Sequence, residues 1–226
     1  MRWIARLLAG LFVLGIGGAR AELPLGSMER ACELIGGSLE AVGAATCLGS
    51  GLIAGEGTST RGLPMLYRDF VPGSTRRTPY RIMLIGGIHG DEPTAVAIAF
   101  QWMRKLESER LQPFHWRVIP CANPDGLLMP QPTRTNGRGV DLNRNFATPD
   151  WDEKALDRWR KKTRYDPRRY PGPTAASEPE TRWLTQQIRQ FRPDAIIAIH
   201  SPWGVLDFDG PLDPPQRFGY LRLPPL

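Results

Sequence analysis

Histidine and cysteine are scarce in this chain of 226 residues, three of each, and the scarcity limits its chemistry. No two cysteines stand in C-x-x-C spacing, so a metal site built on that motif is excluded. With histidines only at 89, 115 and 200, any imidazole-based site must draw on those positions. Charge of one sign is also short: 29 Lys and Arg against 23 Asp and Glu leave a net +6, and without Arg2, Arg6 and Arg20 near the N-terminus only +3, a modest excess that does not argue for nucleic acid. Internal repeats and low-complexity tracts are absent, although the segment 222–226 is proline-rich. The apolar stretch from Leu7 to Gly17 falls below the about 20 residues that a membrane-spanning helix needs.

That stretch has another meaning. Arg2 and Arg6 precede it, and Ala19-Arg20-Ala21 follows it with the form of an A-x-A cleavage site, the layout of a secretory signal. Residues 1–21 are expected to be a signal peptide, against the alternatives of an uncleaved anchor or a plain N-terminal helix. Residues 22–226 are then the folded domain, secreted or periplasmic and free of the membrane after cleavage. Loss of Arg2, Arg6 and Arg20 lowers the net charge from +6 to +3. With 41% apolar and 23% charged residues, one globular domain is the natural reading. Export changes what the cysteines mean. In an oxidising compartment Cys32 and Cys47, which flank a segment of small residues, are expected to form a local bridge, the alternative being two free buried thiols. Cys121 lies in a predicted strand and reads as a buried, inert thiol.

Strands and helices alternate along the rest. Arg81 to Gly86 is a short apolar run ending in glycines, consistent with a buried strand. Pro93 to Leu106 carries Val96, Phe100, Met103 and Leu106 at helical spacing, with Pro93 suited to a first turn. Trp116 to Ala122 reads as a second strand, closed by the turn Asn123-Pro124-Asp125-Gly126. Glu178 to Phe191 predicts a helix with Leu184, Ile188 and Phe191 on one face, Ser177 as N-cap and Glu180 completing a capping box. Asp194 to Ile199 is a further strand. From Trp151 to Tyr170 the chain is rich in Lys, Arg, Trp and Tyr without clear period. It is expected to be a long surface excursion, either a solvated basic loop or a rim that attracts anionic substrate. The alternation predicts a single α/β domain with a mainly parallel mixed sheet and helices on both faces.

His89 follows the first of these strands and His200 closes the last, so both stand where open α/β sheets gather ligands. Glu92, three residues after His89, lets one loop entering a helix offer two ligands, while His200 arrives from another strand. Two histidines and a carboxylate form an established ligand set for one catalytic zinc ion, which keeps a position for water. The tetrapeptide alone is weak, being more often a surface histidine beside a helix-capping acid. His115 begins a strand and reads as a partly exposed packing residue.

More than one motif is present. His-Gly-Asp-Glu at 89–92, Asn-Pro-Asp-Gly at 123–126, Gly-Val-Asp-Leu-Asn-Arg-Asn-Phe at 139–146, Gly-Pro at 172–173, Ser-Glu-Pro-Glu-Thr at 177–181 and His-Ser at 200–201 resemble, in order and approximate spacing, the zinc carboxypeptidases of the A and B type. The likeness covers roughly residues 55–201 and implies that family's fold. By it, His89, Glu92 and His200 match the zinc ligands and Asp141 the acid that orients the first histidine. Asn143 and Arg144 match the pair that grips a free C-terminal carboxylate. Arg134, with Arg138 nearby, matches the arginine that steadies the oxyanion. The family's unusual cis peptide after the serine implies a cis Ser201-Pro202 bond.

The same family carries, well after the second histidine, a general-base glutamate and usually a mobile tyrosine. No glutamate follows Glu180 here; the later acids are Asp207, Asp209 and Asp213, and Tyr220 has no clear counterpart. The sequence is accordingly expected to be a fragment, or else a zinc-binding remnant with little turnover. The resemblance is nearest to secreted bacterial murein peptide amidases and γ-D-glutamyl-diaminopimelate peptidases. It implies a zinc metallocarboxypeptidase that hydrolyses a peptide bond near a free C-terminal carboxylate, in cell-wall peptides. A zinc-dependent N-acyl amino acid deacylase, of the succinylglutamate desuccinylase and aspartoacylase kind, and a non-catalytic binder of peptide remain the alternatives.

Overall fold

The structure, a computed structural model, describes residues 24, 26–73, 79–109 and 113–201, with the backbone of 217–218 and 221–222. The segment read as a signal peptide, the Ser201-Pro202 bond, Asp207, Asp209, Asp213 and Tyr220 lie outside the described residues. Five strands form one sheet: β1 (Ile53–Thr58), β2 (Pro64–Phe70), β3 (Arg81–Ile85), β4 (His115–Ile119) and β5 (Ala195–Ala198), in the order β1-β2-β4-β3-β5. Strand β3 runs parallel to both β4 and β5, with Ile82 opposite Trp116 on one side and Ala195 on the other. The antiparallel half is β1 on β2 and β2 on β4. A short ribbon pairs β6 (Arg217–Phe218) with β7 (Leu221–Arg222).

Because alternate residues of a strand face opposite ways, the two faces of the sheet bury different side chains. Leu84, Trp116 and Val118 pack with helix α1 (Met28–Ser38) and helix α3 (Pro93–Ser108) through Ala31, Ile35, Val96, Phe100 and Met103. Met83, Ile85 and Ile119 pack on the other side with Trp183, Leu184 and Phe191 of helix α6 (Pro179–Phe191). Helices therefore cover both faces, as the sequence pattern requires. Trp183 also packs against β1, where Gly55 leaves the room: a Cβ there would sit 2.6 Å from the indole Nε1.

The ends of the elements follow local chemistry. Ser27 caps α1 by accepting the Arg30 N–H at 3.1 Å. A disulfide from Cys32 joins α1 to Cys47 of α2 (Ala44–Gly49), as expected for these two cysteines, and Cys121 is free and buried. Burial pushes the Cys121 thiol up to about 12. His115 is half-buried, edge-on to Phe191 at 5.0 Å, and its pKa is lowered by burial against the opposing pull of Asp69. Among the described residues no helix is long and apolar enough to cross a membrane.

Two expectations need correction. The 151–170 segment is no irregular loop: it contains α5 (Trp151–Lys161) and a 3-10 turn, Pro167–Arg169. Trp151 is the one buried residue of α5, so no apolar stripe announces it. Asp152 and Glu153 in its first turn and Arg158, Arg160 and Lys161 in its last complement the helix dipole instead. The start of α6 is also displaced. Glu178, not Ser177, occupies the N-cap position, and no side chain caps the helix there. Pro179 sets the first turn, and Glu180 reaches away from the helix to Thr60, 2.7 Å from its N–H.

Candidate metal centre

Strand β3 delivers the chain to the tight stretch Gly86–Glu92, and Glu92 stands at the N-cap of α3. Its carboxylate, which could have capped the helix, turns inward between two imidazoles. Oε1 is 2.9 Å from His89 Nδ1 and Oε2 is 3.0 Å from His200 Nδ1. His200 reaches this point from the end of β5, whose path continues with Ile199 N–H donating to Ile85 O at 2.9 Å. The two rings lie 4.9 Å apart between centroids, and one ligand atom from each of His89, Glu92 and His200 falls within 4.8 Å of the others. His89 and Glu92 are buried, while His200 is partly open.

The chemistry of this set suits a cation. Glu92 is an acceptor, and Arg134 Nη1, which can only donate, lies 3.3 Å from His89 Nδ1. On the far side of the ring, Nε2 is 3.3 Å from Asp141 Oδ1, although it misses hydrogen-bond geometry and is left as a buried orphan. A carboxylate behind Nε2 favours the proton there and leaves the Nδ1 lone pair facing Glu92. The Nδ1 atoms of His89 and His200 and the carboxylate of Glu92 crowd their lone pairs on one point, which is what a divalent ion would satisfy. Burial alone would raise the pKa of Asp141, but His89 and Arg134 outweigh it and hold the carboxyl below its ordinary value.

Arg134 donates its Nε–H to Asp141 Oδ2 at 2.9 Å and lies 3.9 Å from Glu92 Oε1. Arg138, the neighbouring candidate, is 58% exposed and turned toward Glu178 instead. Asp141 also starts the 3-10 turn Leu142–Arg144 by accepting the Asn143 N–H at 3.1 Å. Asn143 and Arg144 thus follow directly from Asp141; Arg144 is exposed, with Nη1 folded back on the Asn143 carbonyl at 2.9 Å. The sequence-predicted site residues therefore form one inner group, His89, Glu92, His200, Asp141 and Arg134, with Asn143 and Arg144 on the adjoining turn.

Several supports were not read from the sequence. Asn123, legible as a turn residue and as part of the Asn-Pro-Asp-Gly motif but with no role assigned, places its Nδ2 3.3 Å from Ile88 O and 3.2 Å from Arg134 O, joining the two loops that meet at the centre. A side chain at Gly90 would run into the backbone of Gly126 and Leu127, so that loop packs against Asn-Pro-Asp-Gly only as glycine. Asp91 accepts from Arg168 at 2.8 Å, and the Asp141 N–H donates to Tyr170 O at 2.8 Å. The 151–170 excursion is therefore docked beside the centre.

A family model described as zinc carboxypeptidase matches residues 53–206. The chain is 32% identical over 153 residues to murein peptide amidase A of Escherichia coli K12, covering 67% of this chain and 60% of that protein. It is 33% identical over 153 residues to murein peptide amidase A of Vibrio campbellii, covering 67% and 58%. Among solved structures, carboxypeptidase A from Helicoverpa armigera superimposes with a TM-score of 0.55 at 24% identity, over 68% of this chain and 41% of that one, a likeness of fold. The match spans about 60% of the length of the Escherichia coli relative.

Proposed function

The chain belongs to the zinc carboxypeptidase family, and from that membership we propose that it is a zinc-dependent hydrolase of peptide bonds near a free C-terminal carboxylate, with murein peptides as substrate class. The observation that carries this reading is the convergence of His89, Glu92 and His200, with ligand atoms within 4.8 Å of one another. Relatives named murein peptide amidase A support the substrate class. The Cys32–Cys47 disulfide supports an oxidising, secreted or periplasmic setting.

His89, Glu92 and His200 would hold one zinc ion, which would supply a Lewis acid to polarise a carbonyl and activate water. The chain's own groups do the rest. Asp141 keeps the His89 proton on Nε2 and so keeps Nδ1 available. Arg134, anchored by Asp141, carries a fixed positive charge 3.9 Å from Glu92, where negative charge developing on a carbonyl oxygen would be stabilised. Asn143 and the exposed guanidinium of Arg144 supply donors matched to a carboxylate.

The test is hydrolysis of a tripeptide containing diaminopimelate, set against N-acyl amino acids, with zinc-loaded protein and with chelator present. Chelator-sensitive release from the tripeptide is expected. Turnover of the acyl amino acids alone would favour a deacylase, and tripeptide binding without turnover would favour a peptide binder.

A further inference from the structure

Ser-Glu-Pro-Glu-Thr at 177–181 takes no part in the ligand set, yet both its glutamates are buried to within 1% and joined to the loops that build the centre. Asn136 is their meeting point. Its Nδ2 lies 2.8 Å from Glu178 Oε2, 3.2 Å from Glu180 Oε2 and 3.1 Å from Thr60 Oγ1. Its Oδ1 accepts the N–H groups of Arg138 at 3.0 Å and Val140 at 3.1 Å, closing the turn that ends at Asp141. Glu180 in turn holds Thr60, accepting from its N–H at 2.7 Å and its hydroxyl at 3.3 Å. At the other end of the segment, Glu178 Oε1 accepts from Ser177 Oγ at 2.8 Å, and that hydroxyl receives Asn145 Nδ2 at 2.9 Å. Glu178 N–H also donates to Asn145 Oδ1 at 3.1 Å.

We propose that Glu178 and Glu180, acting through Asn136 and Asn145, are positioning residues of the metal centre: they fix the 136–145 segment at both ends and so aim Asp141, and Arg134 with it, at His89. The inference rests on the reading that His89, Glu92 and His200 hold zinc. Two neighbouring carboxylates buried around one amide are a costly way to hold a turn if the turn only fills space. Burial raises the pKa of Glu180 despite the donors from Thr60 and Asn136, which shows the environment opposing its charge. The orphan status of His89 Nε2, 3.3 Å from Asp141 Oδ1, marks the contact where a small shift of the segment decides whether the imidazole is aligned.

The experiment is zinc affinity by competition with a chromophoric chelator, together with the melting temperature of the zinc-free chain. Asn136→Asp keeps both acceptor bonds of the turn but sets a third carboxylate against the pair. Zinc affinity is expected to fall roughly tenfold, the low end for a group acting behind a ligand. The triple variant Asn136→Asp/Glu178→Gln/Glu180→Gln reverses donor and acceptor across the same contacts and is expected to recover to within about threefold of the wild type, as aligned bonds of opposite polarity are equivalent for positioning. Arg117→Met, which breaks the ion pair to Asp69 between β4 and β2, is the comparison: a lower melting temperature with unchanged zinc affinity. Should a variant at 136 fail to fold, Thr60→Val, which removes only the hydroxyl between Asn136 and Glu180, carries the test with a loss of about threefold. Unchanged zinc affinity in Asn136→Asp, or a triple variant that binds no better than the single one, overturns the inference. A wild type that binds no zinc overturns instead the reading on which it rests.

Discussion

Asp141→Asn perturbs the centre without changing its volume, and the contacts set the size of the effect. Asp141 is fully buried, with Oδ2 2.9 Å from Arg134 Nε and Oδ1 facing both the Asn143 N–H at 3.1 Å and His89 Nε2 at 3.3 Å. An amide offers one oxygen where the carboxylate offers two. Whichever way it turns, its NH2 meets a donor: Arg134 in one orientation, Asn143 and His89 in the other. Losing one charge-assisted, buried hydrogen bond costs about 1–3 kcal/mol, and for a chain of this size about 2 kcal/mol lowers the melting temperature by roughly 4–8 °C. Zinc affinity should fall about 10- to 100-fold, the range for the acid behind a histidine ligand, equal to about 1.4–2.8 kcal/mol. Chelator competition and zinc-free melting curves measure both. An affinity within twofold of the wild type, with a melting temperature lowered by less than about 1 °C, would refute the role given to Asp141.

Reduction of the Cys32–Cys47 disulfide, which closes a loop of 15 residues, should cost up to about 3 kcal/mol; a melting curve unchanged by reductant would show that the α1–α2 unit needs no bridge. Cys121, buried and with its thiol pushed up to about 12, should resist alkylation at about pH 8 in the folded chain and react on denaturation; rapid labelling of the native protein would contradict its burial. Glu180 titrates with a raised pKa in the fold, so the stability gained from its proton is complete below the ordinary value of 4.5 and disappears as pH rises through the folded one. Relative to Glu180→Gln, which cannot titrate, the wild type should therefore lose stability as the pH rises above 4.5, and a difference that stays constant as the pH rises would sink the assignment.

The strands and helices legible in the sequence were those whose burial imposes a period. Val96, Phe100, Met103 and Leu106 announced α3, and the unbroken apolar run of β3 announced a strand buried on both faces. Strand β1 escaped notice because it is largely exposed and its glycines make room for Trp183. Helix α5 escaped because charges at its two ends, not an apolar stripe, support it. At the centre, His89, Glu92 and His200 were legible since scarce histidines fell at strand ends. The bonds that tie Asn123 to Ile88, Asn136 to Glu178 and Glu180 to Thr60 were not, because each joins residues far apart in the chain whose pairing no local spacing records. Ser177 misled for a related reason: its hydroxyl serves the Glu178 and Asn145 network instead of the helix.

Three side chains from two strand ends, His89, Glu92 and His200, are proposed to hold one zinc ion. Metal analysis of the purified chain beside His200→Ala tests this most directly. One zinc per wild-type chain, and a marked loss of zinc in the variant with its fold intact, is the expected result. Equal zinc in both, or none in the wild type after incubation with the metal, would contradict it.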